Sequence, residues 1–166
     1  MSKDQVNATS FSDDVVDLLA LLAKYHVKYL IIGGGAVIFY GKIRLTGDLD
    51  IYYEATQENV CRLYEALSEF WSSDIPEIHH ASEFLQKGLV VQFGVPPNRI
   101  DLLNEIDAVD FLQAWPNRKI VQIIGKKNLF DVYFIGLDDL ISNKEAVGRP
   151  KDLDDLVFLR EARNRL

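Results

Sequence analysis

Residues 29–53 read YLIIGGGAVIFYGKIRLTGDLDIYY. An apolar run from Tyr29 to Ile32 stops at Gly33, Gly34 and Gly35, and a short helical segment follows. Next come Arg44, Thr46 and the alternation Asp48-Leu49-Asp50-Ile51-Tyr52. Successive side chains of a strand point to opposite faces, so Asp48 and Asp50 share one face and Leu49 and Ile51 the other. Two carboxylates a residue apart on one face can hold a divalent cation. Glycines at a strand-to-helix junction leave backbone N–H groups able to meet a phosphate, aided by the helix N-terminus. Each half has a plainer reading. A glycine-rich strand end is often a tight turn, and Asp-x-Asp is often a solvated strand end. The order and spacing of the two halves give the segment its meaning.

The chain has 166 residues, a length that suits one domain with a sizeable core. Apolar residues make up 48% and charged residues 26%, as in an ordinary folded protein. A formal net charge of −7 argues against a surface built to grip nucleic acid non-specifically, although a local basic patch stays compatible with it. Cys61 is the sole cysteine, which excludes an internal disulfide and suits a reducing compartment. No apolar stretch approaches the roughly 18 residues that span a bilayer, and the polar start MSKDQVNATS lacks a signal-peptide core. These features imply a cytoplasmic protein without a membrane partner.

Ser10 and Asp13 suggest a capping box, followed by Val15, Leu18, Leu19 and Leu22 at helical spacing over about 11–25. Strand 28–32 and a helix over 34–40 come next. Residues 57–71 place Val60, Leu63, Tyr64, Leu67 and Phe70 on one helical face, a covering helix. Segments 88–93 and 99–103 read as strands joined through Gly94 and Pro96-Pro97. The second holds Asp101 between Ile100 and Leu102; such a carboxylate is either paired or metal-bound, or sits at the strand's wet edge. A short helix over 107–115, strands over 119–124 and 131–135, and a helix from Leu137 past Lys144 complete the body. Gly148-Arg149-Pro150 breaks that helix. A last helix over 151–163 is expected to turn Leu153, Leu156, Val157 and Leu159 inward. Asp152 and Asp155 then favour its N-terminus or pair with Lys151 and Arg149. The fold class expected is α+β, a mixed sheet with helices mainly on one face.

This pattern resembles the nucleotidyltransferase superfamily that includes DNA polymerase β and the antibiotic nucleotidyltransferases. Its signature is a glycine pair, about a dozen residues, Asp-x-Asp, and a third carboxylate on a later strand. Gly33-Gly34, Asp48 and Asp50, and Asp101 in RIDLL match in that order. Arg44-x-Thr46-x-Asp48 and the tail LDDLISNKEAVGRPKDLDDL further resemble small bacterial members related to the AbiEii toxin group. The core of the resemblance covers about 28–104 and the tail 137–159. It implies a nucleoside triphosphate substrate such as ATP, with two magnesium ions as cofactor and manganese as the alternative metal. It also implies Asp48, Asp50 and Asp101 as catalytic metal ligands. Gly33, Gly34, Gly35, Arg44, Thr46 and Lys144 are the implied nucleotide contacts. Arg44 reads equally as a surface salt bridge, and Lys144 and Arg149 as a solvated helix end. The acceptor is open among a small molecule, a tRNA end and a protein hydroxyl. Two competing readings keep the fold: a nucleotide-binding module without turnover, and a subunit of a two-protein or homo-oligomeric system of toxin–antitoxin type.

Overall fold

The computed structural model describes residues 11–42 and 48–166. Helix α1 spans Asp13–Lys24 and buries Val15, Leu18, Leu19 and Leu22 on one face. Its N-cap is Ser12, whose Oγ accepts from the Val15 amide at 3.4 Å; the expected Ser10 lies outside the described residues. Burying each such leucine is worth about 1.5–3 kcal/mol, which outweighs the modest intrinsic helix preference of the segment. Strand β1, Tyr29–Ile32, is buried throughout. Helix α2 is Gly33–Phe39, strand β2 is Asp48–Tyr53 and helix α3 is Gln57–Phe70. Thr56 caps α3 through the Asn59 amide. Buried Asn59 then ties the helix to the sheet: its Oδ1 accepts from the Lys28 amide, and its Nδ2 donates to the carbonyls of Lys28 and Glu54.

Strands β3, Val90–Phe93, and β4, Arg99–Leu103, form a hairpin. The helix expected over 107–115 contracts to α4, Phe111–Ala114, capped by Asp110, and a 3₁₀ turn carries the chain through Trp115–Asn117. Pro116 supplies no amide to extend it. Strands β5, Lys119–Ile124, and β6, Leu129–Phe134, make a second hairpin. Helix α5 is Leu137–Val147, and Gly148 ends it in the left-handed conformation (φ 66°). Helix α6, Pro150–Asn164, starts with proline in its first turn.

Among the described residues six strands form one mixed sheet in the order β3-β4-β2-β1-β6-β5, so the architecture is α+β, as expected. β1 runs antiparallel to β2, while β2 and β4 are parallel. Alternation divides β2 into two faces. Leu49, Ile51 and Tyr53 lie on one, where the Tyr53 ring meets Phe84 edge-on. Asp48, Asp50 and Tyr52 lie on the other, where Tyr52 meets Phe111 and donates to the Val109 carbonyl. The lower part of the acidic face is thus closed by apolar side chains and its upper end carries the carboxylates. No described helix is long and apolar enough to cross a membrane.

Helix α6 departs from expectation. Leu156 and Leu159 are buried, but Leu153 and Val157 are 55% and 62% exposed. The inward stripe is Asp152, Asp155, Leu156 and Leu159. Two aspartates occupy inner positions because cations meet them there.

Candidate active site

The parallel register of β2 and β4 sets Asp48 beside Arg99 and Asp50 beside Asp101. Since all four alternate with buried apolar residues, all four project from one face. One oxygen from each of Asp48, Asp50 and Asp101 lies within 4.8 Å of the others. Among the described residues this is the sole cluster of three or more such side chains spaced to hold an ion. Hard oxygen donors at this spacing fit a magnesium-type cation, which shares protein carboxylates with water and substrate phosphate. Asp101 is 7% exposed and is therefore not the wet-edge carboxylate that the sequence left open. Gln92, its register partner on β3, donates to its Oδ2 at 3.4 Å.

The glycines enter through the antiparallel pairing of β1 with β2, which sets Ile32 opposite Asp50. Gly33 follows with φ 62°, and a Cβ there would overlap Asp50 Oδ2. Glycine is required on both counts: backbone hand and space for the carboxylate. Gly34 is buried in α2. Gly35 has a packing role, since a Cβ on it would press on Ile31 at 3.3 Å and approach Leu49 at 3.7 Å. The N-cap residue of α2, Ile32, makes no side-chain cap hydrogen bond.

Burial pushes the Asp50 carboxyl up to about 6, and the charges of Asp101 and Asp48 add to the rise; Arg99 works against it. The Asp50 charge is costly at this site unless a cation joins the carboxylates. Arg99 supplies part of that positive charge. Its Nη2 donates to Asp48 Oδ2 at 2.6 Å and its Nε to Asp101 Oδ1 at 3.1 Å.

A second charged cluster underlies the start of α6. Lys144 is 4% exposed, so it is not the solvated helix end of the alternative reading. Its Nζ contacts Asp152 Oδ1 at 2.9 Å and Asp155 Oδ2 at 3.1 Å. Lys42 reaches Asp155 Oδ1 at 3.0 Å, and Arg149 Nε reaches Asp152 Oδ2 at 2.8 Å. Burial works to raise the Asp152 carboxyl, but the hydrogen bonds and charges of Arg149 and Lys144 prevail and hold it at about 2. Arg149 is raised above its ordinary value by Asp152 first, and the Asp50 charge contributes. The entry to α6 therefore lies within electrostatic reach of the acidic face. The expected Asp152–Arg149 pairing is present, whereas Asp155 pairs with Lys42 and Lys144 rather than with Lys151 or Arg149.

Arg44 and Thr46 lie outside the described residues. Sequence reasoning passed over Arg99, Gln92 and Lys42. Arg99-x-Asp101 carried the same two-residue signal as Asp48-x-Asp50, while Gln92 and Lys42 had no local signal. An apolar cleft of about 200 Å³ adjoins Asp48 and Arg99, lined by Val15, Ile38, Phe39, Leu49 and Pro97 among others. A larger surface groove lies along α1 and the β5–β6 hairpin and includes none of the three acids.

Comparison with family models gives the class as nucleotidyltransferase. Residues 13–159 match the family described as "Nucleotidyltransferase of unknown function (DUF6036)", and the protein belongs to that family. No curated protein matches the chain at a significant level.

Proposed function

We propose that the protein is a metal-dependent enzyme that transfers a nucleoside monophosphate from a nucleoside triphosphate to an acceptor hydroxyl. The acceptor oxygen bonds to the α-phosphorus, the bond from that phosphorus to the bridging oxygen breaks, and pyrophosphate leaves. The observation that carries this reading is the convergence of Asp48, Asp50 and Asp101 within 4.8 Å beside the Gly33 turn. Bound magnesium, two ions in the full site, supplies activation of the hydroxyl and neutralisation of the leaving pyrophosphate. Asp48 and Asp50 are assigned as shared ligands and Asp101 as a ligand at the acceptor side. Asp101 also takes the hydroxyl proton.

The amides at Gly33 and Gly34 are assigned to the phosphates, because Gly33 brings the backbone against Asp50 where no side chain intervenes. Gly35 is assigned to close packing at the same turn. Arg44 and Thr46 keep the nucleotide role that the resemblance implies for them. Lys144 is assigned indirectly: buried between Asp152 and Asp155, it holds α5 against α6, whose N-cap Arg149 feels the Asp50 charge.

The test is incubation with magnesium, each labelled nucleoside triphosphate and three acceptor pools: total RNA, cell protein and small metabolites. Wild type should release pyrophosphate and label one pool, and the Asp48→Asn/Asp50→Asn variant should do neither. Undiminished transfer by that variant would end the reading.

A further inference from the structure

Arg99 and Asp48 are register partners at the first positions of β4 and β2, and the arginine spans two of the three carboxylates. Its Nη2 lies 2.6 Å from Asp48 Oδ2 and 3.4 Å from Asp101 Oδ2, and its Nε lies 3.1 Å from Asp101 Oδ1. These are carboxylates of the cluster that could hold a metal. A guanidinium keeps its proton in proteins, so this charge leaves the site only by movement of the side chain. Arg99 stands at the strand's first residue with its side chain 30% exposed, so a route to solvent is open.

We propose that Arg99 is a displaceable counter-ion that makes metal and nucleotide binding depend on each other. The inference rests on the metal-site reading above. An ion seated among the carboxylates competes with the guanidinium for the same oxygens, and the two positive charges repel at close range. With metal alone, the expelled arginine exchanges two carboxylates for water. With a metal–nucleoside triphosphate, it exchanges them for phosphate oxygens, whose geometry suits its planar fork. Metal therefore binds weakly by itself and more tightly with nucleotide, and linkage requires the nucleotide to show the same dependence on metal. A fixed structural salt bridge would leave only the coupling that phosphate ligation of the metal itself supplies, and replacing Arg99 would not change it. In this scheme Arg99 contacts the nucleotide's phosphates and is a binding residue.

The experiment measures Mn²⁺ binding by electron paramagnetic resonance, alone and with α,β-methylene analogues of the four ribonucleoside triphosphates. Wild type, Arg99→Met, Arg99→Lys and Asp48→Asn proteins are compared. Arg99→Met should bind Mn²⁺ alone at least about tenfold more tightly than wild type, and the gain on adding nucleotide should shrink by a similar factor. Arg99→Lys, which keeps the charge but lacks the fork, should fall between them and serves where the methionine variant does not fold. Unchanged Mn²⁺ affinity with the nucleotide gain intact, in either variant, would overturn the role of Arg99 while leaving the metal site standing. Absence of Mn²⁺ binding in every protein, with and without nucleotide, would overturn the metal-site reading and this inference with it. Binding lost only in Asp48→Asn identifies the site.

Discussion

Replacing Asp50 by asparagine should stabilise the metal-free protein, and the size of the effect follows from the carboxyl's surroundings. Burial and the neighbouring Asp101 and Asp48 raise Asp50 from 3.8 to about 6. Each unit corresponds to about 1.4 kcal/mol, so the ionised form costs the fold about 2–3 kcal/mol near neutral pH. Because the folded value is raised, the Asp50 contribution to wild-type stability is fully present below about pH 4 and is lost as pH climbs through about 6. Asparagine keeps the shape and removes the charge. In the presence of a chelator, Asp50→Asn should melt roughly 4–10 °C above wild type at about pH 7.5, by the usual conversion for a domain of this size. The gap should narrow steadily as the buffer is taken down to about pH 5. Circular dichroism melts across that series are the assay. Magnesium should reverse the ranking, since a ligand bound only by the folded wild type raises its stability. A variant less stable than wild type at about pH 7.5, or a gap independent of pH, would refute the crowded-carboxylate account.

Lys144→Met should be severely destabilising, about 3–5 kcal/mol in urea titrations, because it removes a buried cation from Asp152 and Asp155. A loss below about 1 kcal/mol would mean that Lys42 and Arg149 suffice. Gly33→Ala should cost about 1–2 kcal/mol for its left-handed backbone and should weaken Mn²⁺ binding further by pushing on Asp50. Unaltered metal affinity in a folded Gly33→Ala protein would separate the glycine from the acidic site.

Much of the site was legible in the chain because it depends on local rules. The i, i+2 alternation of β2 alone puts Asp48 and Asp50 on one face, and the glycine run ending an apolar strand marks the turn into α2. Helix α6 shows where such reading stops. Its apolar spacing marks Leu153, Leu156, Val157 and Leu159 as the inner face, yet Asp152 and Asp155 point inward while Leu153 and Val157 face solvent. The cations that reverse the pattern come from Lys42, Lys144 and Arg149, and Lys42 lies 113 residues from its partner Asp155. No periodicity within one helix carries that information.

The sequence by itself determined the two-acid face of β2, the glycine turn and the α+β class, since short-range geometry and hydrophobic alternation suffice for each. Tertiary structure decided which distant groups meet them. Parallel pairing of β2 with β4 brings Asp101 and Arg99 to Asp50 and Asp48, and antiparallel pairing of β1 with β2 sets Gly33 against Asp50. Strand register is a property of two segments together, and a slip of one residue would turn Asp101 to the opposite face.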